Sequence, residues 1–192
     1  METYDYDPAE TEMIMGELGY AKDGQYFAKD GKPIEMEMLI TSADERAGEM
    51  IKQQLEQAGF KISLRSLDSK TRDSLISEWN FDMALNSHGG MGGDPEILSR
   101  LIGEGFSFNS ARYFENRKLN DLLSREVSEM DPDKRKGLVD EIQVVHAQDL
   151  PTLPLYYADS FWAYGGVIDM YYTKRGIAMG TPIAQNKLSF VR

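Results

Sequence analysis

The chain has 192 residues, with 21 Lys and Arg against 32 Asp and Glu for a formal charge of −11, and it contains no cysteine. That length suits one domain of ordinary size or one lobe of a larger protein. Without thiols there is no disulfide scaffold, thiolate zinc site, iron–sulfur cluster or cysteine nucleophile, and the acidic balance argues against nucleic acid or anionic lipid as partner.

No stretch approaches the roughly 18 consecutive apolar residues of a membrane-spanning helix. The start, METYDYDPAE, carries neither a positive nor an apolar segment of the kind that directs secretion. Asp7-Pro8 then predicts a capped helix with Ala9, Met13, Ile14 and Leu18 at helical spacing and Gly19 as its stop. Residues 25–28 and 33–40, joined through Asp30-Gly31, read as a hairpin in which Ile34, Met36, Met38 and Ile40 alternate against Glu35, Glu37 and Leu39.

Residues 44–59 place Ala47, Met50, Ile51, Leu55 and Ala58 on one stripe and end at Gly59, an amphipathic helix. A strand over 60–67, a short helix over 69–79 with Leu75 and Ile76 inward, and a strand over 81–86 follow. The last runs into the glycine-rich turn 87–94. Residues 95–101 predict a short helix and 103–114 a loop. Two longer helices come next, one near 116–129 with Leu119, Leu122, Leu123 and Val127 on one face, the other opened by Asp131-Pro132 and burying Leu138, Ile142 and Val145. Residues 150–157, 160–164 and 167–172 read as extended, and 166–192 as a peripheral tail. Strands alternating with helices imply an α/β class, a sheet covered by helices in one unit spanning 1–192.

Chemistry concentrates after the strand at 81–86, in Asn86, Ser87, His88, Gly89, Gly90, Met91, Gly92, Gly93, Asp94 and Pro95. Ligands of open α/β sheets bind at the carboxyl ends of strands, and four glycines in five residues let a backbone approach a ligand closely. A plain tight turn is the other reading. The loop lacks GxxxxGK[ST] and GxGxxG, and no GxSxG elbow presents a serine to His88 or His146. His88 with Met91 or Asp94 offers donors to a metal, although the HExxH and EF-hand spacings are absent. Late aromatics, Tyr156 and Trp162 among them, serve either a β core or a stacking wall.

The order YDYDPAETEMIMGELGY, KDGKPIEMEMLI, IKQQLEQAGFKISLRSLD, WNFDMALNSHGGMGGDPEIL, LNDLLSREVSEMDPDKRKGLVDEIQ and DLPTLPLYY resembles the second half of the family 5 extracytoplasmic solute-binding proteins, over residues 4–165. These are the peptide, dipeptide and nickel receptors of ABC importers. The resemblance implies a type II periplasmic-binding-protein lobe with a central mixed sheet flanked by helices. It implies no catalysis, a periplasmic or extracytoplasmic location, and an N-terminal lobe with a membrane-anchoring segment upstream. The partners implied are that lobe, an ABC permease and a small solute, either a peptide or a nickel chelate, the chelate being cargo and no resident cofactor being expected. In peptide-binding members an aspartate that pairs with the peptide amino group stands a few residues before the acidic-Pro pair; here that place falls at or near Met91. Nickel-chelate receptors use aromatics and a histidine, and His88 lies in the corresponding loop. The ligand-binding set expected is therefore Asn86, His88, Gly89, Gly90, Met91, Asp94, Tyr156 and Trp162, with His88 as the metal ligand. The rival readings are an α/β hydrolase using His88 as base and a non-catalytic interaction domain.

Overall fold

The computed structural model describes residues 4–87, 94–103, 116–157 and 159. The first helix, α1 (Pro8–Glu17), starts as the sequence expects. The Asp7 carboxylate accepts hydrogen bonds from the Ala9 and Glu10 amides at 2.9 and 3.0 Å, and Pro8 brings no amide that needs a partner. Its apolar side is not where the spacing puts it. Met13, Ile14 and Leu18 are 58%, 44% and 57% exposed, and the buried residue is Met15. Consecutive apolar residues fan out by about 100° each, so Met13, Ile14 and Met15 cannot all face one surface.

Three short antiparallel strands follow, β1 (Ala21–Asp23), β2 (Tyr26–Lys29) and β3 (Lys32–Pro33). The Asp-Gly turn forms as expected, with φ of +53° at Asp30 and +72° at Gly31, the paired positive angles of a tight hairpin. Residues 33–40 do not continue as one hairpin strand. The Ile34 amide still donates to the Phe27 carbonyl at 2.9 Å, but the Ile34 carbonyl already accepts the Lys61 amide at 3.1 Å, so the chain passes from one sheet to the other at Ile34. Strand β4 (Glu35–Ile40) lies instead in a second, parallel sheet between β5 (Lys61–Ser66) and β6 (Met83–Ala84), with Met38 in register with both Leu64 and Met83.

As the central strand of a covered parallel sheet, β4 buries both faces. Leu39, expected to point outward, is 0% exposed, beside Met38 and Ile40. Met38, Ile40 and Ile62 form the sheet core, with Ile51 and Leu55 of α2 (Glu45–Ala58) packed against it. Gly48 sits at the contact, where a β-carbon would stand 3.2 Å from Ile40 Cγ2, while Met50 turns out to solvent at 53% exposure. Gly59 ends α2 with φ of +109°, and its carbonyl accepts the Phe27 amide at 2.8 Å, joining the two sheets. Helix α3 (Ser69–Ser77) is capped by Asp68 and buries Ile76.

A second core joins α4 (Ile97–Ile102), α5 (Arg117–Ser128) and α6 (Pro132–Asp149) through Ile102, Leu119, Leu122, Leu123, Leu138, Ile142 and Val145. The stripe of α5 is one residue off the expected one. Glu126 is buried, completing a 119, 122, 123, 126 pattern, and Val127 is 49% exposed. After α6 the run 150–157 forms no strand, because Pro151 and Pro154 remove ladder amides and the side chains from Leu153 to Tyr157 are exposed. The expected strands at 160–164 and 167–172 and the tail 166–192 lie outside the described residues. Helices over a parallel sheet make this the α/β class, and among the described residues no helix is long and apolar enough to cross a membrane.

Candidate ligand-binding site

Because β4, β5 and β6 run parallel, their carboxyl ends meet on one edge of the sheet, the place where open α/β sheets receive ligands. Thr41 follows β4 and is nearly buried; its hydroxyl and amide both donate to Asp44 Oδ2, at 2.6 and 3.3 Å. Asp68 follows β5 and starts α3. Its carboxyl is held below the usual carboxylate range, first by the Thr71 hydroxyl at 2.6 Å and then by the Thr71 amide at 3.0 Å. From α3 the side chain of Arg72, 12% exposed, reaches back across the edge. Its Nη1 donates to the Leu85 carbonyl at 3.3 Å and stands 3.5 Å from Asp44 Oδ2, while Nε and Nη2 donate to Asp73. The guanidinium thus fixes the chain where it leaves β6. Asn86 and Ser87 come next, both exposed, with Asn86 Oδ1 accepting the Ser87 amide at 2.9 Å.

At the other end of the glycine-rich segment, Asp94 Oδ1 accepts two hydrogen bonds, from the Glu96 amide at 3.0 Å and from Arg135 Nη2 at 2.9 Å. The amide first and the guanidinium second hold its carboxyl below the ordinary value. Arg135 belongs to α6, and its Nε donates to Glu126 Oε1 at 2.7 Å. Desolvation opposes the charge on Arg135, but the hydrogen bonds to Glu126 and Asp94 outweigh it and raise its pKa. Glu126 is 0% exposed, and its Oε2 has no partner among the described residues.

Of the residues expected at the site, Asn86 and Asp94 stand at the two ends of the segment. His88, Gly89, Gly90, Met91 and Trp162 lie outside the described residues. Tyr156, 70% exposed, has neither a hydrogen bond nor a ring contact to Asn86 or Asp94. Among the described residues no group of three or more His, Asp or Glu could hold a metal ion. A groove of about 640 Å³ lies between α4 and α5, lined by Glu96, Ser99, Asn120, Leu123 and Val127 among others. Arg72, Arg135 and Glu126 were not expected from the sequence. A carboxylate at position 126 on an otherwise leucine stripe was the available signal, since a buried charge requires a partner.

A sequence model of the bacterial extracellular solute-binding proteins, family 5 (Middle), matches residues 1–110, more than half of the chain. The chain belongs to this family. No curated protein matches the sequence. Similar solved structures include NikA from Brucella suis in complex with Fe(III)-EDTA, 18% identical with a TM-score of 0.67 and covering 78% of this chain and 32% of that one. NikZ from Campylobacter jejuni in complex with Ni(L-His) is 19% identical with a TM-score of 0.67 and the same two coverages, 78% and 32%. The oligopeptide-binding protein AppA from Bacillus subtilis, in complex with a nonapeptide, is 15% identical with a TM-score of 0.66 and covers 77% and 31%. The family 5 chain therefore spans about a third of the length of these structures and shares their type II binding-protein fold.

Proposed function

We propose that this chain is one α/β lobe of the substrate-binding component of an ABC importer, working outside the cytoplasmic membrane. It closes with a partner lobe on a small solute that a permease then takes up. The observation that supports this reading is the anchored segment at the carboxyl edge of a parallel sheet in a family 5 solute-binding chain: Arg72 holds its start at Leu85 and Arg135 its end at Asp94. A lobe of this kind binds by closure, with affinity drawn from both lobes.

The solute is a peptide or a nickel chelate. Asp94 is already engaged by Arg135 and the Glu96 amide, and no carboxylate stands at Met91, which favours the chelate. In that reading His88 supplies an imidazole to nickel, a ligand suited to that metal, beside glycines that leave room for the chelator, with Tyr156 and Trp162 as aromatic walls. Membership in a transport family leaves the hydrolase reading of His88 without support. Isothermal titration of the receptor containing this chain with nickel(II) plus L-histidine, and separately with a tripeptide, tests the proposal. His88→Ala is expected to weaken nickel–histidine binding tenfold or more. Unchanged affinity in that variant removes His88 from the site, and binding of the tripeptide alone reassigns the solute.

A further inference from the structure

We infer that the carboxyl end of α6, with the segments on either side of it, is the surface on which the partner lobe of the receptor is seated; this rests on the two-lobe reading of the function. Six exposed large apolar side chains gather there, Tyr4 and Tyr6 from the segment before α1 and Leu153, Leu155, Tyr156 and Tyr157 from the segment after α6. The flank of α1, with Met13, Ile14 and Leu18, exposes half as many. Single exposed apolar residues are ordinary on a protein surface, whereas a contiguous group of them marks a place where something docks.

The two segments are brought together by the last turn of α6. The Tyr4 hydroxyl donates to the carbonyls of Ala147 and Gln148, which a helix end leaves without partners of its own. The outgoing chain turns at Leu150, at φ of +42°, and comes back beside the same turn, with Thr152 Oγ1 3.3 Å from His146 Nε2. Asn116 Nδ2 donates to Asp149 Oδ2 at 2.8 Å and ties that turn to the start of α5. The frame is held by these bonds while the apolar side chains face out, so little ordering is left to do when the surface is covered.

Three observations select the occupant. Residues 4–9 and 146–157 contain Asp5, Asp7 and Asp149 and neither lysine nor arginine, which disfavours an anionic lipid surface and leaves an apolar protein surface. The chain spans about a third of the receptors it resembles, so in a receptor of that length most of the protein lies beyond this lobe and must meet it somewhere. A lobe tethered to this one also sits at a roughly millimolar effective concentration, which favours it over a free second copy.

The test is photo-crosslinking in the whole receptor containing this chain. Leu153→p-benzoylphenylalanine carries the probe at a side chain that is 66% exposed, and Tyr6→p-benzoylphenylalanine, at 88% exposure, serves as the second position if the first does not fold. The dominant crosslink is expected to join either position to a peptide of the same polypeptide outside residues 1–192, with or without solute. A crosslink to residues 158–192 makes the chain's own later segment the cover and overturns the inference. So does a crosslinked dimer, which assigns the surface to a second copy, and so does a probe that captures only solvent. A native polypeptide no longer than this chain overturns the two-lobe reading itself, and the inference with it.

Discussion

At Gly59 the backbone adopts φ of +109° and an added β-carbon would stand 2.8 Å from the ring of Phe27, so two independent constraints select glycine at the end of α2. Gly59→Ala is expected to cost roughly 2 kcal/mol, read as a lower urea midpoint at unchanged m. His146 carries a different kind of strain. Burial holds its imidazole below the ordinary 6.5, with the charge of Asp149 only partly offsetting the effect. The folded chain then binds fewer protons at this site than the unfolded chain as the pH falls through 6.5 and below, so stability declines with acidification. A urea midpoint that drops between pH 7.5 and 5.5, and drops less in His146→Gln, is the expected result. Asp94 and Asp68, both held low, act in a separate window. Their contributions are present above 3.8 and lost as the pH falls through the lower folded values.

At the scale of elements, the one-residue offset on α5 makes a direct comparison possible. Leu122 is 2% exposed in the second core and Val127 is 49% exposed. Leu122→Ala is expected to cost about 2–5 kcal/mol and Val127→Ala under about 0.5 kcal/mol, both measured by denaturant unfolding. The helices themselves were legible because their signals are local: Asp7-Pro8, Asp131-Pro132 and the Gly59 stop are read from neighbouring residues. Strand β4 was legible as a strand and not as the centre of a parallel sheet, since its partners β5 and β6 lie about 26 and 45 residues away in sequence and nothing local names them. The candidate site divides the same way. Asn86 and Asp94 announce a loop between a strand and a helix, whereas the arginine that holds Asp94 comes from 41 residues further on. Glu126 was hidden by a stripe that Val127 completes equally well on paper.

At the scale of the molecule, the described residues form two cores, one under the parallel sheet and one among α4, α5 and α6. Leu85 hydrogen-bonds to Leu39 of the sheet, while Asp94 is tied to α6. The hydroxyl of Tyr4 donates to the carbonyls of Ala147 and Gln148 at 2.9 and 3.3 Å, across 143 and 144 residues of sequence. Loop-closure entropy predicts that so long-range a contact forms after the local helix pairs and the β4–β5 crossover. A contact absent from the folding transition state changes the unfolding rate alone. Tyr4→Phe is thus expected to leave the refolding limb of the chevron in place and to speed unfolding by roughly fivefold, for a hydrogen bond of about 1 kcal/mol. On that expectation the first tyrosine of the chain is a latch, setting how long the native state lasts and leaving the speed of its formation unchanged.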